Sequence, residues 1–197
     1  MARKAAMPLM PRKAVLPRLW LITDARNDAG LMRAIAAIPR GSGLIYRHYH
    51  LPPDERRARF DVLARAMRAR GGAVVLAGAM AQARRWGADG AYGAAGLIGP
   101  GGSGLRLMTA HDLRELGQAR RARADGVLLS PVFPTRSHPG GAVLGALRFA
   151  LMAARAGVPV LALGGMDARR AARLRPMAHG WAAIDGLSGR EPPRNSP

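Results

Sequence analysis

Thr135, Ser137 and His138 stand within four residues of one another, in a stretch (124–141) that begins apolar, breaks at Ser130-Pro131 and continues through proline and glycine. Two hydroxyls and an imidazole at this spacing can hydrogen-bond an anion, and the histidine can hold or pass a proton near neutral pH. An exposed loop histidine would look the same. Further along, Gly164-Gly165 and Ile184-Asp185-Gly186 each follow an apolar run. Glycine lets the main chain approach a ligand closely, so N–H groups at such turns can hold a phosphate. The same pairs also serve as plain strand-to-helix turns. A carboxylate at Asp185 would repel an anion, so contact there is expected through the main chain, with the side chain turned away. Arg47, at the end of another apolar run, offers a planar fork for an anion. His48 and His50 follow it, and Thr109 and His111 precede a helical pattern. The histidines show no metal-ligand spacing, and Asp24, Asp167 and Asp185 are isolated rather than paired, so the residues themselves predict no metal site.

These groups need a frame that gathers the ends of the apolar runs. Strands are predicted at residues 19–23, 44–48, 73–76, 90–92, 105–108, 127–129, 158–163 and 181–184. Helical spacing fills most gaps: 28–38 with Asp28 as cap, 54–70, 79–86, 109–121 with Thr109 as cap, 143–156 and 167–174. Eight strands mostly separated by helices point to an α/β fold of the (β/α)8 TIM-barrel type, compact because such barrels usually run to about 250 residues. Residues 93–104 are too glycine-rich for the helix expected between the fourth and fifth strands. An open α/β sheet is therefore the alternative. In both folds the loops leaving the carboxyl ends of the strands meet the ligand.

With 197 residues, 49% of them hydrophobic, the chain is expected to form one domain with a sizeable core. The expected organisation is a basic, disordered arm over 1–18, a barrel over 19–189 and a disordered tail over 190–197. Zero cysteines exclude disulfides and thiolate chemistry. No run of about 18 apolar residues is present, and the first 18 residues are basic and broken by proline, so the protein reads as soluble and cytoplasmic with no membrane partner. The net charge of +19 is carried almost wholly by arginine, scattered over predicted helix faces such as Arg56, Arg57, Arg59, Arg65 and Arg68. No aromatic RNA-binding motif accompanies it, so nucleic acid is not an expected partner. Small phosphorylated substrates fit the charge, and solvated arginine faces account for it equally.

The order of landmarks carries a resemblance. Leu-Ile-Thr-Asp at 21–24, Tyr-Arg at 46–47, Gly-Ala-Asp-Gly at 87–90 and Thr109-Ala-His111 come first. Ala-Asp-Gly at 124–126, Ser-Pro-Val-Phe-Pro-Thr at 130–135 and Leu-Gly-Gly-Met at 163–166 follow. In this order the chain resembles the thiamine phosphate synthases and their relatives, the thiazole tautomerases, over roughly residues 19–187. The resemblance implies a (β/α)8 barrel that joins a pyrimidine diphosphate to a thiazole phosphate with loss of diphosphate, assisted by Mg2+. It further implies that Gly164, Gly165, Ile184 and Asp185 hold the thiazole phosphate and that Thr135 and Ser137 line the thiazole site. Thr109 and Arg47 would face the pyrimidine diphosphate.

The departures are specific. The family's Gln-x-Arg-x-Lys is Ile45-Tyr46-Arg47-His48-Tyr49 here, keeping only the arginine. Its first magnesium carboxylate falls at Ala77-Gly78 and its second within 93–104, which holds no acid. Its Thr-x-Thr-Lys is Thr135-Arg136-Ser137-His138, and the tautomerases' catalytic histidine falls at Pro131. The expected function is a transferase of thiamine biosynthesis divergent at its metal and lysine positions, with His138 and Arg47 as the candidate catalytic residues. The alternatives are a non-catalytic or regulatory binder of a thiazole phosphate or similar small phosphate ester, and an isomerase using His138 or His111.

Overall fold

A computed structural model describes residues 15–99, 103–137 and 139–187. Strands β1 (Leu19–Ile22), β2 (Gly43–Tyr46), β3 (Ala73–Ala77), β4 (Gly90–Gly93), β5 (Leu105–Ala110), β6 (Gly126–Leu129), β7 (Val160–Ala162) and β8 (Gly180–Ala183) pair in sequence order. All pairs are parallel, and β8 closes on β1 through Leu19–Trp181, Trp20–Ala182 and Leu21–Ala183. The fold is thus the (β/α)8 barrel, and closure removes the open sheet. Helices α1 (Leu31–Ala37), α2 (Pro53–Arg68), α3 (Met80–Arg85), α4 (Ala95–Ile98), α5 (Leu113–Arg121), α6 (Gly145–Ala153) and α7 (Ala168–Leu174) form the outer layer.

The strands are apolar on both faces because both are covered. Trp20, Ile22, Ile45, Val75, Leu107, Leu128 and Leu161 make the inner cluster, while Leu21, Leu44, Tyr46, Val74, Leu76, Val127 and Leu129 meet the helices. Each such Leu or Ile contributes about 1.5–3 kcal/mol by leaving water. Trp20 fills the barrel floor, its ring lying where a Cβ on Gly43 would stand, and its Nε1–H donates to the Pro17 carbonyl at 2.8 Å. The expected basic arm is corrected here. Leu16 is 8% exposed and belongs to the inner cluster, and the Arg18 carbonyl accepts from Trp181 N at 2.8 Å, so residues 16–18 are part of the barrel floor. The expected tail, 190–197, and residues 1–14 lie outside the described residues.

Local starts differ from the sequence reading for identifiable reasons. A 3-10 turn, Ala25–Gly30, precedes α1 and is capped by Asp24, which accepts from Arg26 N at 3.3 Å; Asp28, expected as the cap, instead faces β2. Thr109 lies within β5, and α5 begins only after Asp112, whose carboxylate accepts from Glu115 N at 2.7 Å. Between β4 and β5 the glycines do not prevent a helical turn. Four residues suffice to bury Ile98, and Gly99, at φ 76°, ends it. Among the described residues no helix follows β8, and a groove of about 630 Å³ runs beside Trp181 between α7 and the end of α1. Among the described residues no helix is long and apolar enough to cross a membrane.

Candidate functional site

At the carboxyl ends of the strands the barrel opens into a cavity of about 720 Å³. Ile22, Tyr92 and Ala182 reach it from the strands, and the loops after β2, β5, β6, β7 and β8 wall it. Alanine at 182, where the floor has tryptophan, leaves the space. Burial pushes the Tyr92 hydroxyl up to about 12 against the opposing charge of Arg47, so it is a neutral donor at physiological pH.

The turns after β7 and β8 abut at this rim. Gly164 and Gly165 have φ of 95° and 60°, and a Cβ on Gly164 would meet Pro131 Cα at 2.7 Å. A Cβ on Gly165 would collide with the Pro134 carbonyl and Phe133, and one on Gly186 with the Met166 carbonyl. Glycine is therefore required by the packing of these turns against the β6 loop and each other, before any ligand is considered. The N–H groups of Gly164, Gly165, Ile184, Asp185 and Gly186 donate to no carbonyl among the described residues. The Gly165 carbonyl, by contrast, is taken by the Arg170 guanidinium, which lies 5.0 Å over the Phe133 ring. Carbonyls already taken by donors at Gly164, Gly165 and Ile184, and amides unpaired among the described residues, suit an anion in the cavity.

The β6 loop brings Thr135, Arg136 and Ser137 to the same cavity. Thr135 Oγ1 accepts from Ser137 N at 3.3 Å, and Ser137 Oγ accepts from Arg26 at 2.9 Å. Arg26 also bonds Asp24 at 2.9 Å and approaches Asp185 at 3.7 Å, so the Asp185 side chain is drawn to a cation across the mouth. Burial raises the Asp24 carboxyl, but the hydrogen bonds and charge of Arg26, with Arg47 beyond, hold it below the usual carboxylate range. His138 lies outside the described residues.

Across the cavity, Arg47 follows β2. Its N–H donates to Thr23 Oγ1 at 2.9 Å and its carbonyl accepts from Arg56 Nε at 2.9 Å, so its main chain is held from both sides. Its guanidinium reaches the cavity 5.8 Å from the Tyr49 ring centroid. Behind it, His48 is 1% exposed at φ 38°, with Nδ1 2.8 Å from Thr23 Oγ1 and Nε2 2.8 Å from Asp28 Oδ1. Burial lowers the affinity of His48 for a proton more than Asp28 raises it. Burial likewise pushes Asp28 up, and the bonds from His48 and Arg59 more than reverse this and hold it low. The pair is thus a neutral imidazole donating Nε2–H to a carboxylate, with the Thr23 hydroxyl donating to Nδ1 while accepting from Arg47 N–H.

Thr109 and His111 line the cavity from β5, with His111 Nδ1 2.8 Å from the Ser130 carbonyl. The cavity thus collects Arg47, Thr109, Thr135, Ser137, Gly164, Gly165, Ile184 and Asp185. Sequence reasoning missed Arg26, Thr23, Tyr92 and Arg170; Arg26 and Thr23 meet Ser137, Arg47 and His48, which are distant in the chain, and Arg170 bonds Gly165 and Asp167 close by. The residues present do not make a magnesium cage. Among the described residues no three acidic or histidine side chains gather to hold a metal ion, and Asp24, Asp167 and Asp185 are each met by arginine.

A closed parallel barrel with a cavity at its carboxyl rim defines the class: a (β/α)8 barrel. Residues 107–187 match the family described as Thiamine monophosphate synthase. A thiamine-phosphate synthase of Mycobacterium avium (strain 104) is 31% identical over 175 residues, 78% of each chain. The chain belongs to the thiamine-phosphate synthase family. Among solved structures, a thiamine phosphate pyrophosphorylase from Pyrococcus furiosus superposes with a TM-score of 0.73 at 21% identity over 88% of each chain. One from Bacteroides thetaiotaomicron gives 0.60 at 14% identity, covering 91% of this chain and 88% of that one. At these identities the superpositions speak for the fold alone.

Proposed function

We propose that the protein is a transferase that joins a pyrimidine diphosphate to a thiazole phosphate with release of diphosphate. The observation that carries this reading is that the two abutting turns, whose amides bond no carbonyl among the described residues, line one cavity with Arg47. The amides at Gly164, Gly165 and Ile184 take the phosphate of the thiazole partner, and Thr135 and Ser137 lie beside its ring. Arg47 and Thr109 face the diphosphate. The bond from the pyrimidine methylene to the diphosphate oxygen breaks, its electron pair leaving with the diphosphate, and the ring nitrogen of the thiazole forms the new C–N bond. No proton need be moved, so guanidinium charge on the leaving group and exclusion of water do the work of a base.

The test is to incubate the purified protein with pyrimidine diphosphate, thiazole phosphate and magnesium and assay thiamine phosphate. Product is expected. If none forms while thiazole phosphate still raises the melting temperature, the cavity is that of a non-catalytic binder and the transferase reading is wrong.

A further inference from the structure

Arginines meet the carboxylates of the cavity rim, and some guanidinium groups are left over. Arg170 is spent on the Gly165 carbonyl, Asp167 and the Phe133 ring, and Arg26 on Asp24, Asp185 and Ser137. Arg47 and, from the β6 loop across it, Arg136 line the same cavity, and their guanidinium groups donate to no acceptor among the described residues. Arg47 is also the best held residue on that wall. Thr23 Oγ1 fixes its N–H and Arg56 its carbonyl, and Arg56 is in turn braced by the Ala77 carbonyl at 3.2 Å and by the rings of Tyr49 and Trp86 at 5.1 and 5.2 Å. From the β2 side, therefore, the described residues line the cavity with the Arg47 guanidinium and no carboxylate.

We propose that this cavity binds a diphosphate group directly on Arg47, with no divalent cation between protein and ligand. A metal ion needs anionic ligands, which the β2 side of the cavity does not offer among the described residues; a diphosphate needs donors, which the Arg47 fork, Thr109 and the Tyr92 hydroxyl supply. A divalent cation placed here would meet the like charge of Arg47, and the nearby carboxylates, Asp24, Asp167 and Asp185, are each already met by arginine. The proposal rests on the transferase reading for the identity of its ligand, but its chemistry is tested separately.

Inorganic diphosphate is titrated into the full chain by calorimetry at about 0.15 M salt, once in chelator and once with excess magnesium, so that screening suppresses loose association with a basic surface. The affinity in chelator is expected to be at least that in magnesium. Arg47→Gln should weaken it by at least about tenfold, the loss expected for charge-assisted hydrogen bonds. Arg114→Gln, on the exposed face of α5, should leave it within about twofold, the limit for a screened surface charge. Binding seen only with magnesium, or equal affinities for Arg47→Gln and Arg114→Gln, would overturn the proposal. Product formation in magnesium combined with no diphosphate binding in chelator sinks this inference while leaving the transferase reading in place. Binding in chelator without product does the reverse.

Discussion

The two walls of the cavity hold charge by different means. On the β7–β8 side the donors are main-chain amides, and the side chains of Ile184 and Asp185 point to the barrel interior and to Arg26. On the β2 side the donor is one side chain, Arg47, and its placement depends on Thr23, Arg56, His48, Asp28 and Arg59. A main-chain site tolerates side-chain change but not loss of glycine, because its geometry is the turn itself. A side-chain site is lost by one substitution, yet it can be rebuilt from different residue types so long as charge is returned to the cavity.

The largest effect is expected where the turn has no room. Gly165→Val should destabilise the fold by about 3 kcal/mol, combining overpacking against Pro134 and Phe133 with a β-branched residue at positive φ. It should also abolish binding of a phosphate ester; urea unfolding and calorimetry would read the two. Ile184→Ala is the counterpart. Its amide remains, so affinity for the ester should stay within about threefold, although burial of the side chain is lost. If truncating Ile184 weakens the ester as much as blocking Gly165 does, the main-chain account of this wall is wrong.

Next in size is Thr23→Val, which keeps the shape and removes both hydrogen bonds of a hydroxyl with 0% exposure. Arg47 N–H and His48 Nδ1 are left without their partner, at a cost of about 1–3 kcal/mol for buried unsatisfied groups. Diphosphate affinity should fall with it, while the ester on the opposite wall is held as before. Equal loss at both walls would mean that the threonine supports the barrel at large rather than Arg47.

The same asymmetry governs what could be read from the sequence. The barrel was legible because every strand is covered on both faces and so appears as a short apolar run. Gly164-Gly165 was legible because positive φ at a tight turn is a local demand, whereas the clash with the Met166 carbonyl that requires Gly186 is not. The Thr23–His48–Asp28 chain was not, because it joins residues 20 and 25 apart that become neighbours only when β1 pairs with β2. Thr109 looked like a helix cap because Thr is a good one, but pairing with β6 extends β5 to Ala110 and hands the cap to Asp112. Leu16 looked like part of a tail because nothing near it in the sequence shows the barrel floor that it closes.

Acidity should expose that hidden network. His48 faces Asp28, Arg59, His50 and Tyr46, and its proton affinity is lowered in the fold from the usual 6.5. Below that value the unfolded chain binds a proton that the folded one refuses, so stability is full above about pH 6.5 and declines as pH falls through the lowered value. Asp24 and Asp28 add a second loss further down, below the usual carboxylate 3.8. The melting temperature should therefore drop between pH 7.5 and 5.5 at constant ionic strength. His48→Asn, which tolerates positive φ, should melt lower but with a flatter profile over that interval. An unchanged slope in the variant would assign the acid sensitivity elsewhere.

The smallest expected effect is at the mouth, where the contrast between the walls is least sharp. Asp185 places a carboxylate beside amides that should receive a phosphate, and Arg26 stands 3.7 Å from it, both side chains more than a third exposed. In water such a pair exchanges little energy, so Asp185→Asn should tighten the phosphate ester by only about two- to fivefold, more at low salt than at high. Arg26→Gln should loosen it by a similar factor, since it frees the carboxylate and releases Ser137 together. An effect beyond about tenfold would exceed what screened charges at this exposure deliver. Asp185 would then have to touch the ligand, and the β8 turn would work through its side chain as the β2 wall does.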